Sequence, residues 1–194
     1  RVAGPPGPCA GIVVKANAVD DVQVTWMVGA KHFSDIVYYT IEAKSDIETD
    51  WRVVAAQISE TDNLLKKEKS PGSLIFDKRT FKLTNLAANA NYNLRVSATN
   101  SFGTGEFSPA SDGFKTKAFQ VTKAPTNVTG GGGKVGTLVA RWNPLHPVDY
   151  NGPGFYYLVR YRQKNKNEEF ETKEIADPVF DENGKAMFTT LLNR

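Results

Sequence analysis

Short runs in which apolar and polar residues alternate recur along this chain. The clearest run, YNLRVSATN, begins at Tyr92, and its apolar side chains at every second position predict a strand with one buried face. Val22–Trp26 and Ile36–Lys44 alternate in the same way. After the Tyr92 run, Asn100 and Gly103 indicate a turn.

Weaker runs complete the first set of predicted strands: Ile12–Val14, Trp51–Ala55, Phe81–Leu83 and Phe114–Lys117. About seven short strands separated by turns, with no helical periodicity, predict an all-β sandwich. Leu86 followed by Tyr92 at the start of the penultimate strand matches a tyrosine corner, so we expect the Tyr92 hydroxyl to bond the backbone near Leu86. The segment Ser59–Phe76 is longer than a connection of this kind needs. We expect a solvated loop there; a contact with a partner or a glycosaminoglycan is the alternative.

A second series of similar strands follows the first. Three pairs of aromatic residues are separated by nearly the same number of positions: Trp26 and Trp142, Tyr39 and Tyr157, Trp51 and Phe170. A near-constant offset indicates an internal duplication. We therefore predict one domain over residues 1–118 and a second over residues 119–194, joined by a short hinge.

The second series ends early. Met187–Leu191 corresponds to the strand that contains Phe81 and Leu83, and no counterpart of Tyr92 follows before Arg194. We expect the second sandwich to be truncated before its last two strands, because the missing strands would cover its inner face and its open edge. The intact protein is then expected to continue past Arg194.

Composition limits the function classes. The net charge of +3 is too mild to indicate nucleic-acid binding. No apolar run is long enough to span a membrane. Cys9 is the only cysteine, so an internal disulfide is excluded, and we expect it to be a small residue packed near the first strand.

Catalytic and metal-binding patterns are missing from the sequence. His32 and His146 stand alone, without the spacing of metal ligands. No serine has the neighbours of a nucleophile elbow, and no motif pairs two carboxylates. We therefore predict no catalytic residue, no metal and no cofactor, and we expect the chain not to be an enzyme.

Two surface features are candidates for function. Asn127-Val128-Thr129 is an N-glycosylation sequon, so Asn127 is predicted to carry a glycan if the protein is secreted. A basic ridge is predicted where positively charged residues recur at every second position: Arg160, Arg162, Lys164 and Lys166. The ridge is either an outward face shielded by neighbouring glutamates or a contact for an acidic partner or polyanion.

The run from Leu86 through the Tyr92 strand to Pro109 resembles the corner, F strand and F–G loop of a fibronectin type III domain. The entry segment GPPGPCAGIVV and the run APTNVTGGGGKVGTLVARWNPLHPVDYNGPGFYYLVRYR are similar to the first two fibronectin type III domains of contactins. This resemblance covers nearly the whole chain.

The resemblance implies an extracellular cell-adhesion fragment with an immunoglobulin-superfamily head before it and a glycosylphosphatidylinositol anchor outside it. It implies cell-surface partners of neurexin-like and neuroglian-like type, with sulfated glycan as a further candidate. Two rival interpretations stay open: a structural module of an intracellular muscle protein, and an ectodomain spacer of a receptor tyrosine phosphatase.

Overall fold

The chain forms two compact units of antiparallel sheet. A computed structural model describes residues 2–131, 133–162, 164 and 169–192. The units are Arg1–Phe119 and Gln120–Arg194. Within the described residues the only helical segment is the 3-10 helix Pro147–Asp149. No helix in this part of the chain is long and apolar enough to cross a bilayer. The all-β expectation is confirmed.

The first unit consists of β-strands joined by turns. Its strands are β1 (Ala10–Ala18), β2 (Asp21–Met27), β3 (Tyr38–Ser45), β4 (Arg52–Ser59), β5 (Lys66–Glu68), β6 (Lys78–Leu83), β7 (Asn91–Asn100), β8 (Gly103–Thr104) and β9 (Phe114–Lys115). One sheet has the order β1-β2-β6-β5. The other has the order β4-β3-β7-β8, with β9 also paired to β7.

The core of the first unit is formed by the inward residues of both sheets, as the period-two pattern predicts. Trp26 from β2 and Tyr39 from β3 are both 0% exposed. Their rings meet edge to face with centroids 5.2 Å apart. On β7, Leu94 and Val96 are also 0% exposed. These residues form one buried aromatic and aliphatic layer between the two sheets.

The segment 59–76 is more ordered than the sequence predicts. Leu65 is buried, at 4% exposed, and β5 extends the first sheet by pairing with β6, with Lys67 opposite Arg79. The expectation of a solvated loop is therefore wrong for this part. The free edge of β6 offers unpaired backbone groups, and β5 satisfies them as the antiparallel fourth strand of the sheet even though its own side chains are polar.

Two serines bond the edge of β7 that lies between its pairing with β9 and its pairing with β8. The regular strand covers only Phe114–Lys115 of the expected Phe114–Lys117, but backbone hydrogen bonds to Ala90 and Asn89 continue from Thr116 and Lys117 at 3.0 and 3.1 Å. Before it, the Ser108 and Ser111 backbone amides donate to the carbonyls of Val96 and Leu94 at 2.9 and 2.8 Å. The two serine hydroxyls accept from the amides of the same two β7 residues, each at 3.0 Å. The two serine side chains thus accept the β7 amide hydrogen bonds that the carbonyls of a regular neighbouring strand would otherwise accept.

The second unit repeats this arrangement over its described residues. Its strands are β10 (Thr126–Gly130), β11 (Thr137–Asn143), β12 (Tyr157–Tyr161), β13 (Glu171–Ile175), β14 (Val179–Phe180) and β15 (Ala186–Leu191). One sheet has the order β10-β11-β15-β14 and the other pairs β12 with β13. Trp142 packs against Tyr157 with centroids 5.2 Å apart and the ring planes steeply inclined, as Trp26 packs against Tyr39 in the first unit.

Candidate interaction surfaces

The tyrosine corner positions β7 against the segment before it. Tyr92 is 2% exposed, and its hydroxyl accepts a hydrogen bond from the Ala87 amide at 3.0 Å. Leu86, the neighbour of Ala87, is 6% exposed. The Tyr92 ring also stacks on Phe114, with centroids 6.1 Å apart. One side chain therefore ties the start of β7 both to the preceding loop and to β9.

An arginine stacked between two aromatic rings lies on the outer face of the same sheet. The Arg95 guanidinium carbon lies 4.4 Å from the Trp51 ring centroid and 4.3 Å from that of Phe107. The Glu42 carboxylate accepts from Arg95 Nε and Nη2 at 2.8 and 2.6 Å. The stacking and the ion pair fix this arginine. The alternation along the Tyr92 run is enough to predict that Arg95 faces outward, but its aromatic neighbours come from distant segments.

A buried ion pair is the feature that sequence reasoning missed most completely. Arg79 is 3% exposed, and its Nε lies 3.1 Å from both carboxylate oxygens of Glu60. Burial acts to raise the pKa of Glu60, but the hydrogen bonds and charge of Arg79 outweigh it, so this pKa lies below its ordinary value. Arg79 also donates to the Phe76 carbonyl at 3.0 Å. The pair therefore anchors the segment between β5 and β6.

Cys9 is packed in the core of the first unit. It is 1% exposed, and burial raises the pKa of its thiol to about 11. A thiol in this environment stays protonated at neutral pH and is a poor nucleophile. Its position matches the expectation of a small packed residue.

No cation site is assembled among the residues that the structure describes. His32 Nδ1 lies 2.6 Å from the Pro5 carbonyl oxygen, and His146 Nδ1 accepts from the Val148 amide at 3.2 Å. In the same part of the chain, no group of three or more potential metal ligands comes together. Both histidines therefore have local structural contacts.

Asn127 lies on an edge strand with its side chain exposed. Its φ of 52° coincides with a register irregularity between Thr126 and Thr129, where β10 pairs with β11. This irregularity and the edge position leave the sequon at the surface. Whether Asn127 carries a glycan remains a prediction.

The predicted basic ridge is shorter than the sequence suggested. The strand that should carry it ends at Tyr161, so Arg162 and Lys164 do not continue a regular ladder, and Lys164 lies in a turn. Lys166 lies outside the described residues. A ridge of four residues requires the strand to persist as far as Lys166, and β12 ends before Arg162, so this condition is not met. Binding of a polyanion by these residues stays a prediction.

The fold brings Arg160 and Arg162 onto one aromatic ring, that of Phe170. The guanidinium carbons of Arg160 and Arg162 lie 5.0 and 4.5 Å from the centroid of Phe170. Both arginines are exposed, and no salt bridge joins them to any residue that the structure describes. Two fixed, exposed guanidinium groups on a common aromatic platform are suited to binding an anionic group. The sequence spacing pointed to the arginines but not to Phe170.

The family model for the fibronectin type III domain matches residues 4–114. The chain belongs to the fibronectin type III family. This fibronectin type III chain is 32% identical to rat Contactin-2 over 166 residues, which is 86% of the chain and 15% of that protein. It is 33% identical to zebrafish Contactin-5 over 161 residues, or 83% of the chain and 14% of that protein.

A solved structure shows the same resemblance. The FN1–FN3 domains of chicken CNTN1 match this fibronectin type III chain with a TM-score of 0.71 and 25% identity, covering 97% of the chain and 56% of that structure. Mouse Contactin-1 is 32% identical over 177 residues, which is 91% of this chain and 16% of that protein. The chain thus spans about a sixth or less of the length of these contactins.

Proposed function

We propose that this chain is a fragment of an extracellular cell-adhesion protein and acts by contact with other cell-surface proteins. The observation that carries the proposal is the similarity to Contactin-2, which extends over 86% of the chain and includes both units. The fragment then belongs to the cell surface, with a membrane anchor elsewhere in the protein. Its function is binding, not catalysis.

The exposed arginine pair is the contact that we assign to the second unit. Arg160 and Arg162 present their charge from a fixed position because Phe170 supports both guanidinium groups. A carboxylate-rich protein surface or a sulfated glycan would complement this charge. Neurexin-like and neuroglian-like proteins are the proposed partner classes.

Binding to purified ectodomains tests the adhesion proposal. The 194-residue chain is immobilised, and neurexin-like and neuroglian-like ectodomains are passed over it. We expect saturable binding to at least one of them. A binding loss of about tenfold in the double variant Arg160→Glu/Arg162→Glu would place the contact at this pair. Lys134→Glu/Lys173→Glu makes the same charge change at exposed sites of the same unit and should change binding less than about twofold. No binding to either ectodomain class would reject the proposed partners.

A heparin column tests the sulfated glycan separately. The native chain should elute above physiological salt, and Arg160→Glu/Arg162→Glu should elute at clearly lower salt than the Lys134→Glu/Lys173→Glu control. Equal elution of the two double variants would show that the arginine pair is not the polyanion contact.

A further inference from the structure

Two asparagines of the second unit are each followed directly by glycine. The pairs are Asn151-Gly152 and Asn183-Gly184. In such a pair the backbone nitrogen of glycine can attack the side-chain carbonyl carbon of asparagine, because glycine has no Cβ to hinder the approach. In a folded protein the attack also requires that both reacting groups are free to move together. The two sites differ in this respect.

Asn151 is held by its side chain. Its Nδ2 donates to the carbonyl of Gln120 at 2.9 Å, and the residue is half-buried. The same two segments are joined a second time, because Lys123 Nζ lies 2.7 Å from a carboxylate oxygen of Asp149. Turning the Asn151 side chain toward the next backbone nitrogen requires that its hydrogen bond breaks. The fold therefore restrains the reactive group at this site.

Asn183 lies in the exposed turn that joins β14 to β15. Its side-chain amide is bonded to no residue that the structure describes. The Gly184 amide donates to the Asp181 carbonyl at 3.0 Å, and the Asn183 amide donates to the Asp181 carboxylate at 2.9 Å. Gly184 has a φ of 74°, which suits a residue without Cβ. The carboxamide is thus free, and the attacking nitrogen is bonded only within the turn.

The turn can open without unfolding of the unit. The strand β14 before it has only two residues, and both are exposed. Arg141 Nε lies 3.5 Å from the Asp181 carboxylate, so the first residue of the turn is held from outside, whereas the bond of Gly184 is internal to the turn. Short exposed segments of this kind open locally at low free energy. In the open state the Gly184 nitrogen can reach Cγ of Asn183.

We propose that Asn183 is a deamidation site of this protein. The Gly184 backbone nitrogen attacks Asn183 Cγ, the bond from Cγ to Nδ2 breaks, and the amide group leaves as ammonia with the proton of the attacking nitrogen. The product is a cyclic succinimide. Water then opens the ring at either carbonyl carbon and gives aspartate or isoaspartate at position 183. The inference does not rest on the adhesion proposal, because it concerns the chain alone.

The product changes both the charge and the backbone of the turn. A carboxylate at position 183 is ionised at neutral pH and follows the carboxylates of Asp181 and Glu182 along the chain. Isoaspartate also adds one methylene group to the backbone path. This addition displaces the Asn183 and Lys185 amides, which both donate to the Asp181 carboxylate at 2.9 Å. Both changes loosen the turn and the pairing of β14 with β15.

Peptide mapping of the whole 194-residue chain tests the proposal. The folded chain is kept at body temperature and mildly alkaline pH, and isoaspartate is read by mass spectrometry and by isoaspartyl methyltransferase. The Asn183 peptide should convert at least about tenfold faster than the Asn151 peptide, because only its turn opens locally. Conversion at Asn183 that is equal to or slower than conversion at Asn151 would overturn the proposal.

Unfolding the chain separates the effect of the fold from that of the local sequence. In concentrated urea neither asparagine is held, so the two peptides should convert at rates within about threefold of each other. A preference for Asn183 that stayed unchanged in urea would show that neighbouring residues, and not the contacts of Asn151, select the site.

Substitutions test the chemistry. Gly184→Ala should slow conversion at Asn183 at least about tenfold, because the added Cβ hinders the attack. Since Gly184 has a positive φ, this variant can also distort the turn. Asn183→Gln is therefore the second variant, and its peptide should stay unconverted because the longer side chain would have to close a larger ring. The control Gly152→Ala should leave conversion at Asn183 within about twofold. Unchanged conversion in Gly184→Ala would overturn the proposal.

Hydrogen exchange tests the loosening of the hairpin. Amides of β15 that pair with β14 should exchange at least about threefold faster in the aged chain than in the fresh one. The aged Asn183→Gln variant should match its fresh form. Asn183→Asp adds the charge without the extra methylene group and should show a smaller effect than the aged chain. Equal loss of protection in the aged native chain and the aged Asn183→Gln variant would refute a role of this site in the hairpin.

Discussion

Replacing Tyr92 by phenylalanine isolates the contribution of one buried hydroxyl. The ring is 2% exposed and stacks on Phe114, and phenylalanine keeps that packing. Only the hydrogen bond from the Ala87 amide, 3.0 Å long, is lost. An amide left without its partner in a partly buried position costs about 1–2 kcal/mol.

The loss should appear both in thermal unfolding and in hydrogen exchange. A destabilisation of about 1 kcal/mol lowers the Tm of a domain of this size by roughly 3–6 °C. Amides of β7 that exchange through unfolding of the first unit should then exchange about fivefold faster. Mass spectrometry of peptides from β7 reads this unit separately from the second one.

Tyr38→Phe is the matched control. Tyr38 is partly exposed on β3, and its hydroxyl has no hydrogen-bond partner among the residues that the structure describes. Its loss should change the free energy of unfolding by less than about 0.5 kcal/mol. If Tyr92→Phe cost no more than Tyr38→Phe, the hydroxyl of Tyr92 would not be holding the corner, and the assignment of its role would be refuted.

The remaining predictions concern one buried charge, one stacked charge and one modification. Because Arg79 lowers the folded-state pKa of Glu60 despite its burial, the resulting stability is present above the ordinary value of 4.5 and is lost as the pH falls through the lowered pKa. Glu60→Gln should therefore cost about 1–3 kcal/mol in urea unfolding at neutral pH and clearly less near pH 3; an equal cost at both would contradict the linkage. Arg95→Lys keeps the charge but loses planar stacking and should cost about 1 kcal/mol, whereas no measurable cost would mean that the two rings contribute nothing. The protein secreted from eukaryotic cells should carry a glycosidase-sensitive mass, and the substitution Asn127→Gln should remove it. An unchanged mass would favour the interpretation as a module of an intracellular muscle protein.

The period of the apolar residues alone determined which segments become the central strands. β2, β3 and β7 lie where Val22–Trp26, Ile36–Lys44 and the Tyr92 run alternate, because a strand between core and solvent must separate its two faces. The same local reasoning identified the corner tyrosine and the internal duplication. The alternation and the Leu86–Tyr92 spacing are local patterns, and the duplication is the recurrence of such patterns further along the chain, so the order of the residues is enough to indicate all three.

Only the tertiary structure decided which charged residues are buried, paired or stacked. Arg79 is 3% exposed and pairs with Glu60, 19 residues earlier in the chain, and Arg95 is stacked by aromatic residues from two other segments. Likewise, the polar residues of β5 form a strand only because β6 offers a free edge. Whether a guanidinium is solvated, paired or stacked depends on the groups that folding brings close to it. Because those groups are far away along the chain, the residues next to an arginine do not predict its partners.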